Sequence, residues 1–311
     1  MSLHRHARQV ALVALVVGAS SAIDAQRFTS RALGVRVDVL VTNGRQSVTG
    51  LSAGDFELRD NGVSQVLAQV DVEQLPLNLI LVFDTSASVA GERMQSLLDA
   101  GRAFLDQLRE ADRVALVSFS TRVQLVAPLT PSRQQIRAAF ATLNATGSTS
   151  LRDAAFAGLA LRDADPGRTL VLIFSDGADT SSWLTSRRVI EVAKRTDAVI
   201  YAVAVGREET VTQTRVTHTS DPSGTTRRTI LVKDAGEFLE SLTEETGGRV
   251  LFATSNTDLR GAFTKTLAEF RDRYILSYTP TGVAATGWHR LEVGLKGKSG
   301  KVTARRGYFA E

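Results

Sequence analysis

The segment from residue 77 to residue 273 alternates unbroken apolar runs with amphipathic stretches. Strands that are apolar at every position are typical of a parallel sheet covered by helices on both faces. The amphipathic stretches, such as residues 94–108, repeat apolar positions at helical spacing, which indicates helices with one face on the sheet. The pattern predicts an α/β fold with a doubly wound, Rossmann-like, mostly parallel sheet. The apolar runs are residues 79–83, 114–117, 170–174, 199–205 and 250–252.

Both ends of this segment are flanked by stretches with period-two alternation, which predicts β-strands. Valines occupy every second position from Val35 to Val41, and Asn61-Gly62 favours a tight hairpin. Three strands on either side are too few for an independent core. We therefore expect the two sets to pack together as one small β-sandwich in which the α/β domain is inserted. The predicted strands are residues 35–42, 55–59 and 66–72 before the α/β segment, and 274–280, 288–295 and 302–309 after it.

The first 25 residues have the three-part layout of a secretory signal peptide. Arg5 and Arg8 precede an apolar run at residues 10–17, and small residues follow. An uncleaved membrane anchor is the alternative, but a helical span needs about 20 apolar residues and this run is shorter. We expect cleavage after Ala22 or Ala25, no transmembrane segment in the mature chain, and a periplasmic or extracellular location.

These patterns divide the chain into four parts. We expect a signal peptide at residues 1–25, N-terminal sandwich strands at 26–76, the α/β domain at 77–273 and C-terminal sandwich strands at 274–311. The polar stretch at 207–228 is long for a connection and is predicted to be a mobile surface loop. Nothing in the pattern indicates the oligomeric state.

The composition narrows the chemistry open to this chain. Its 311 residues include no cysteine, which excludes disulfides, thiolate metal sites and thiol nucleophiles. Two of its four histidines lie in the leader; of the others, we expect His218 to be solvated and His289 to be packed on its strand. The formal charge of +4 is small and the arginines are scattered, so nucleic-acid binding has no support. Any bound metal would need oxygen ligands.

Carboxylates and hydroxyls follow the predicted strands at the edge where ligands bind in open α/β sheets. Asp84 ends the first strand of the α/β segment, and Ser86 and Ser88 come directly after it. Asp176 follows the third apolar run of the same segment. Thr149 stands in a hydroxyl-rich turn that opens a helix at the same edge. Two carboxylates and three hydroxyls form a set of hard oxygen ligands that suits Mg²⁺ or Mn²⁺, with Ca²⁺ less favoured. The two carboxylates would just neutralise a divalent ion. Because the other ligands are neutral, an open coordination position of the ion would favour an anionic oxygen from outside the chain.

The same residues resemble the metal-ion-dependent adhesion site of von Willebrand factor type A domains. Residues 84–88, Asp-Thr-Ser-Ala-Ser, fit the Asp-x-Ser-x-Ser signature of that family. Thr149 stands where the family's Gly-Gly-Thr motif has its threonine, and Asp176 where its Ser-Asp-Gly motif has its aspartate. The resemblance covers residues 77–273 and departs at Ser148, which replaces the second glycine. The flanking strands further resemble secreted bacterial proteins of this family, a type abundant in Acidobacteria.

The resemblance implies a role for each of these side chains. Ser86 and Ser88 would bind the ion through their hydroxyls, and Thr149 directly or through water. Asp84 and Asp176 would act largely through bridging waters, and a Glu or Asp of a partner protein would complete the shell. The implied function is a secreted, divalent-metal-dependent protein-binding or adhesion module without catalytic residues.

Two alternatives use the same residues differently. A metal-dependent hydrolase would use the ion as a Lewis acid. No general base or nucleophile is evident beside the site, and Ser86 occupies the position where a phosphatase of the haloacid-dehalogenase type needs an acid/base aspartate. In the other alternative, Asp84 and Asp176 merely cap helices. Asp179 follows the Asp176 motif closely and could line the same edge, but we expect it to be a solvated loop residue before the next helix.

Overall fold

The computed structural model describes residues 34–70, 75–161, 167–176, 179–205, 226–253 and 256–310. Within these ranges the chain forms three β-sheets and six α-helices. The strands are β1 (Val35–Asn43), β2 (Gln46–Ser47), β3 (Phe56–Asp60), β4 (Val63–Ser64), β5 (Ala68–Val70), β6 (Leu77–Asp84), β7 (Arg113–Phe119), β8 (Val123–Thr130), β9 (Arg168–Ser175), β10 (Val199–Val205), β11 (Val250–Ala253), β12 (Tyr274–Tyr278), β13 (Gly287–Leu295), β14 (Lys301–Thr303) and β15 (Gly307–Ala310). The helices are α1 (Glu92–Leu105), α2 (Arg133–Phe140), α3 (Leu151–Ala160), α4 (Ser186–Ala193), α5 (Thr226–Glu245) and α6 (Asn256–Arg271).

A six-stranded sheet carries the order β11-β10-β9-β6-β7-β8. Neighbouring strands are parallel, except that β7 and β8 are antiparallel. Every residue of β6 and β9 is buried, because both faces of the sheet are covered. Leu81 and Phe83 join a core that includes residues of α1 and α6, whereas Ile80 and Val82 join a core under α3. The predicted α/β fold class is confirmed, and the five apolar runs are its five parallel strands.

The antiparallel edge strand β8 is an element that the hydrophobic pattern does not predict. Most of its residues are half-buried or exposed, and Leu125 is 51% exposed. Pro128 also lies within it. An edge strand buries only part of its surface and tolerates proline, so it lacks the continuous apolar run of a central strand.

The strands that flank the α/β segment pair with one another across the chain. Strand β1 pairs with β12, and β3 pairs with β13, all antiparallel. They form one sheet in the order β14-β1-β12-β5, with β2 beside β1, and another in the order β15-β13-β3-β4. The two sheets share a core that includes Val39, Phe56 and Tyr274. Asn61 and Gly62 have positive φ angles of 47° and 82°, which confirms the predicted hairpin. The division of the chain at residues 76 and 273 stays a prediction.

The predicted strand at 302–309 is wrong. This segment forms two strands that lie in different sheets, since β14 pairs with β1 and β15 pairs with β13. Between them the Nε of Arg305 donates a 2.6 Å hydrogen bond to the carbonyl of Gly307. A Cβ on Gly307 would lie 2.2 Å from the carbonyl oxygen of His289, so the backbones meet too closely for another residue. The chain crosses between the sheets here, and in the sequence only Arg306 interrupts the alternating pattern at the crossing. Within the predicted strand at 66–72, the described residues form only the short β5.

A buried polar cluster joins the two flanking sheets. Asp60 and His289 are 0% and 1% exposed, and Nδ1 of His289 lies 2.7 Å from Oδ1 of Asp60. The hydroxyls of Tyr278 and Tyr308 donate to Oδ2 of Asp60 at 2.8 and 2.9 Å. Tyr278 belongs to β12, so its hydrogen bond crosses from one sheet to the other. The prediction that His289 is packed is confirmed.

The flanking sheets contact the central sheet at its amino edge. Arg168, at the start of β9, donates to Oδ1 of Asp38 in β1 and to the carbonyl of Phe270 in α6. Arg273, between α6 and β12, is buried and donates to the carbonyls of Gly247 and Asp38 at 2.6 and 3.3 Å. These contacts lie at the opposite end of the sheet from the predicted metal ligands.

Some predictions fall outside the described residues. They are the signal peptide at 1–25 and residues 207–225 of the polar stretch, with His218. The last residues of that stretch begin α5 instead of continuing a loop. In the described ranges, none of the helices combines the length and the apolar character needed to cross a membrane.

Candidate metal centre

Asp84 ends the fully buried strand β6 and is itself 0% exposed. Its Oδ1 accepts a 2.9 Å hydrogen bond from the backbone N–H of Ser86. Its Oδ2 accepts a 2.8 Å hydrogen bond from the hydroxyl of Ser175. Burial raises the pKa of Asp84 to about 6, with a further rise from the charge of Asp176, although the hydrogen bonds from Ser86 and Ser175 oppose it. The carboxylate is therefore held in one orientation and titrates close to neutrality.

The hydroxyls of Ser86 and Ser88 come together just beyond Asp84. Their Oγ atoms are 2.9 Å apart, because a short 3₁₀ turn at Ala87–Val89 places both on one side of the chain. Ser86 is 1% exposed, whereas Ser88 is exposed to solvent. The pair thus presents two oxygen donors that lead from the buried carboxylate to the surface.

Backbone hydrogen bonds bring Thr149 to the same edge. The N–H of Ala87 donates to the carbonyl of Gly147 at 3.0 Å, which ties the serine turn to the Thr149 loop. The N–H of Thr180 donates to the carbonyl of Thr149 at 2.9 Å, and the Thr149 N–H donates to the hydroxyl of Thr180 at 3.0 Å. Thr149 is 4% exposed. The three segments that carry the predicted ligands are therefore held to one another by main-chain bonds.

Gly147 shapes the loop before Thr149. Its φ is +79°, and a Cβ there would lie 2.5 Å from Oγ1 of Thr121. The same Oγ1 accepts a 3.0 Å hydrogen bond from the N–H of Ser148. Among the described residues Asn61 is the non-glycine residue with positive φ, so Ser148 has an ordinary backbone conformation. The departure from a second glycine therefore costs this loop no strain.

Asp176 follows β9 and supplies the second carboxylate. Its side chain is 14% exposed, and Nη1 of Arg93 in α1 lies 3.8 Å from its Oδ2. The same Nη1 donates a 3.0 Å hydrogen bond to the carbonyl of Ser88. The guanidinium of Arg93 thus offsets part of the negative charge at this edge, a role that was not predicted from the sequence. Its signal was a basic residue in the first turn of the helix after Ser88.

The donor set fits a hard divalent cation by its chemistry. Asp84, Ser86, Ser88 and Asp176 are linked by hydrogen bonds or by charge, and Thr149 is joined to them through its backbone. All side-chain donors are oxygens, the ligands that Mg²⁺ and Mn²⁺ prefer. The described part of the chain contains no group of three or more acidic or histidine side chains placed for a metal. An ion at this edge would therefore need the hydroxyls as well as the carboxylates.

Asp179 is buried, and the prediction that it is solvated is wrong. It is 5% exposed, and its Oδ2 accepts hydrogen bonds from the N–H of Arg152 at 2.9 Å and the hydroxyl of Ser182 at 2.6 Å. The N–H of Arg152 belongs to the first turn of α3, where helix donors lack partners within the helix. The donor lies 27 residues away in sequence, so no local pattern indicated the contact.

The part of the chain that carries these residues is similar to several known proteins. The family model of the von Willebrand factor type A domain matches residues 79–179. Inter-alpha-trypsin inhibitor heavy chain H4 of Homo sapiens is 25% identical over 143 residues, which cover 42% of this chain and 15% of that protein. A UPF0353 protein of Mycolicibacterium paratuberculosis is 31% identical over 123 residues, which cover 34% of this chain and 37% of that protein. The chain thus spans well under half the length of these relatives.

A solved structure extends the similarity of the fold. The von Willebrand factor type A structure from Catenulispora acidiphila aligns with a TM-score of 0.50 and 13% identity. The alignment covers 87% of this chain and 75% of that chain. At this identity the likeness concerns the fold alone.

Proposed function

We propose that this chain, which is a von Willebrand factor type A domain protein, is an exported protein-binding module that captures an acidic group of a partner through a divalent ion. The predicted ligands are Asp84, Ser86, Ser88, Thr149 and Asp176. A protein-interaction or adhesion role is what the domain supports in general terms. The dependence on a metal and the export of the chain are the finer parts of the proposal.

The observation that carries the proposal is the meeting of carboxylates and hydroxyls at one sheet edge. The Oγ atoms of Ser86 and Ser88 lie 2.9 Å apart, and the backbone of Ser86 holds the carboxylate of Asp84. A bound Mg²⁺ or Mn²⁺ would supply positive charge and an open coordination position for a carboxylate of the partner. Ca²⁺ is less favoured.

The residues of this chain prepare the site for such an ion. Ser175 and the Ser86 N–H fix the orientation of the Asp84 carboxylate, and they favour its ionised form against the effect of burial. The hydroxyls add donors without adding charge. The guanidinium of Arg93 lies 3.8 Å from Asp176 and keeps the edge from carrying two uncompensated negative charges.

The location follows from the sequence prediction. Residues 1–25 are proposed to be a signal peptide that directs the chain to the periplasm or beyond the cell.

The site contains hydroxyls and carboxylates that are engaged with one another and with backbone groups, and we propose that its role is binding and not catalysis.

Affinity capture tests this proposal. Immobilised wild-type protein should retain a partner from an envelope or culture extract of the source organism in Mg²⁺ and release it in chelator. Asp84→Ala should lose the capture, whereas Ser148→Ala, an exposed hydroxyl of the same edge that is not a predicted ligand, should keep it. Capture that persists in chelator would refute the metal mechanism. Metal-dependent turnover of a generic ester or phosphoester would refute the non-catalytic role.

A further inference from the structure

The side chain of Trp183 is 94% exposed, although tryptophan gains more from burial than almost any other residue. It lies two residues beyond Ser181, whose N–H donates a 3.1 Å hydrogen bond to the carbonyl of Thr149. The segment that carries it therefore begins at the candidate metal centre. A single exposed apolar residue is common, but a tryptophan in this place is a feature of the same surface as the predicted ligands.

The backbone around Trp183 is fixed on α3 by a reciprocal set of hydrogen bonds. The Asp153 carboxylate accepts from the N–H of Trp183 at 3.0 Å and from the N–H of Leu184 at 2.9 Å. In return, the hydroxyl of Ser182 accepts from the N–H groups of Arg152 and Asp153 at 3.0 and 3.2 Å. Because this backbone is already fixed, little backbone freedom is lost when a partner covers the Trp183 side chain.

A second exposed aromatic lies on the same helix. Phe156 of α3 is 39% exposed and stands three residues after Asp153, which places both on one face of the helix. Because Asp153 holds the backbone of Trp183, the two aromatic residues belong to one region of the surface. The two aromatic side chains give this region an apolar surface, beside a sheet edge whose predicted ligands are carboxylates and hydroxyls.

Two arginines follow Trp183 in the sequence, four and five positions later. Arg187 and Arg188 are exposed in the first turn of α4, and that turn contains no acidic residue. Within the described part of the chain neither arginine forms an ion pair. Cations at a helix N-terminus are disfavoured by the helix dipole, so their presence brings no stability to α4. An acidic partner would give them a role, and arginine and tryptophan are the residues enriched at binding hot spots.

We propose that residues 179–188 form the specificity surface for the partner, which is an acidic protein segment. One carboxylate of the segment would reach the metal centre, an apolar side chain a few residues away would cover Trp183, and further acidic residues would face Arg187 and Arg188. Asp153, whose carboxylate accepts the hydrogen bond from the N–H of Trp183, stands four positions after Thr149 in sequence, so one short peptide can reach both. The inference rests on the proposed metal-dependent function and names the chemistry of its partner.

A displayed library of short random peptides tests the surface. The library is bound to the immobilised full chain in Mg²⁺ and eluted with chelator, and one selected peptide is then synthesised for affinity measurements. We expect the selected peptides to combine Asp or Glu with an apolar residue a few positions away. Trp183→Ala should weaken binding of the synthetic peptide by at least about tenfold, as for a central aromatic contact. Trp183→Phe should restore part of the affinity, and the double variant Arg187→Ala, Arg188→Ala should weaken binding at low salt.

The controls separate this inference from the proposed function. Val66→Ala removes another highly exposed apolar side chain, at 89% exposure in the connection between β4 and β5, and should leave peptide affinity unchanged. Mg²⁺ affinity of Trp183→Ala should equal that of the wild type, which shows that the metal centre is intact. Equal peptide affinity of Trp183→Ala and wild type would overturn the inference and leave the proposed function standing. Peptides retained equally by Asp84→Ala, or a failure to select any chelator-eluted peptide, would overturn both. Self-association that Trp183→Ala abolishes, without an effect on peptide binding, would assign the surface to a second copy of the chain and overturn the acidic occupant.

Discussion

The hydroxyl of Ser175 donates a 2.8 Å hydrogen bond to the carboxylate of Asp84. The two residues end the neighbouring parallel strands β9 and β6, so the bond joins the strands where both reach the carboxyl edge. With the backbone N–H of Ser86 on the other carboxylate oxygen, it holds a buried carboxylate in place.

Ser175→Ala should weaken metal binding without removing it. The variant loses a hydrogen bond that favours the ionised form of Asp84, so the pKa of that carboxyl rises further. A hydrogen bond to a charged group is worth about 1.5 kcal/mol, so from a pKa of about 6 the competition by protons should lower the metal affinity about twofold at pH 7 and by close to tenfold at about pH 5. Calorimetric titration with Mg²⁺ measures it. Ser277→Ala, in the flanking strand β12, is the matched control, and an unchanged affinity in both variants would show that this bond does not matter.

The metal-free protein should gain stability from Asp84 as the pH falls. Its pKa is about 6 in the folded chain against an ordinary 3.8, so the folded state holds the proton more tightly than the unfolded state. This stabilisation by protonated Asp84 is absent when the pH is well above the folded pKa of about 6 and complete when the pH is below 3.8. It raises the free energy of unfolding by up to about 3 kcal/mol. Urea unfolding of wild type and Asp84→Asn across this range, in chelator, measures the difference between them. A difference that does not change with pH would contradict the raised pKa.

Gly147→Ala should destabilise the protein and impair metal binding together. The substitution forces a side chain into a positive φ and places its Cβ 2.5 Å from the Thr121 hydroxyl. Strain of this kind costs about 1–3 kcal/mol, and the loop before Thr149 has to move to relieve it. Gly44→Ala is the control, because Gly44 also has a positive φ but no atom within 4 Å of the added Cβ. It should lose some stability and keep its metal affinity. Equal metal affinity in both variants would show that the Gly147 loop does not position the site.

Tyr278→Phe should lower the free energy of unfolding by about 1–3 kcal/mol, since it removes a hydrogen bond to the buried carboxylate of Asp60. The bond joins the two flanking sheets, so the loss acts on their packing and not on the metal centre. Tyr274→Phe is a matched control that removes hydrogen bonds to the neutral backbone groups of Val48 and Leu51. Denaturant midpoints of the two variants provide the comparison. A Tyr278→Phe variant as stable as the wild type would show that the cluster is not a structural link.

The sequence predicts those parts of the fold that depend on local pattern. Buried strands such as β6 need apolar residues at every position, and the hairpin needs Asn61-Gly62 for its positive φ angles. The candidate ligands could be grouped because parallel strands share a carboxyl edge, and the structure does bring Asp84, Ser86, Ser88 and Asp176 together there.

The remainder depends on contacts between distant segments. Asp60 reads as a turn residue beside Asn61, yet it is buried by Tyr278, His289 and Tyr308, which lie more than 200 positions away in sequence. Asp179 likewise finds its donor in α3. The break between β14 and β15 is marked in the sequence only by Arg306, which interrupts the alternation of Val302, Ala304 and Tyr308, and one charged residue does not indicate a change of sheet. Such features are set by tertiary packing, to which the order of apolar residues is blind.

Titration of the metal-free protein with Mn²⁺ or Mg²⁺ at neutral pH tests the central claim most directly. Wild type and Ser148→Ala should bind one ion per chain, whereas Asp84→Ala and Ser88→Ala should lose most or all of the binding, because they remove a carboxylate and a hydroxyl of the proposed set. Circular dichroism of each variant confirms that it is folded. A wild-type chain that binds no divalent ion, or an Asp84→Ala chain that binds as tightly as the wild type, would contradict the account.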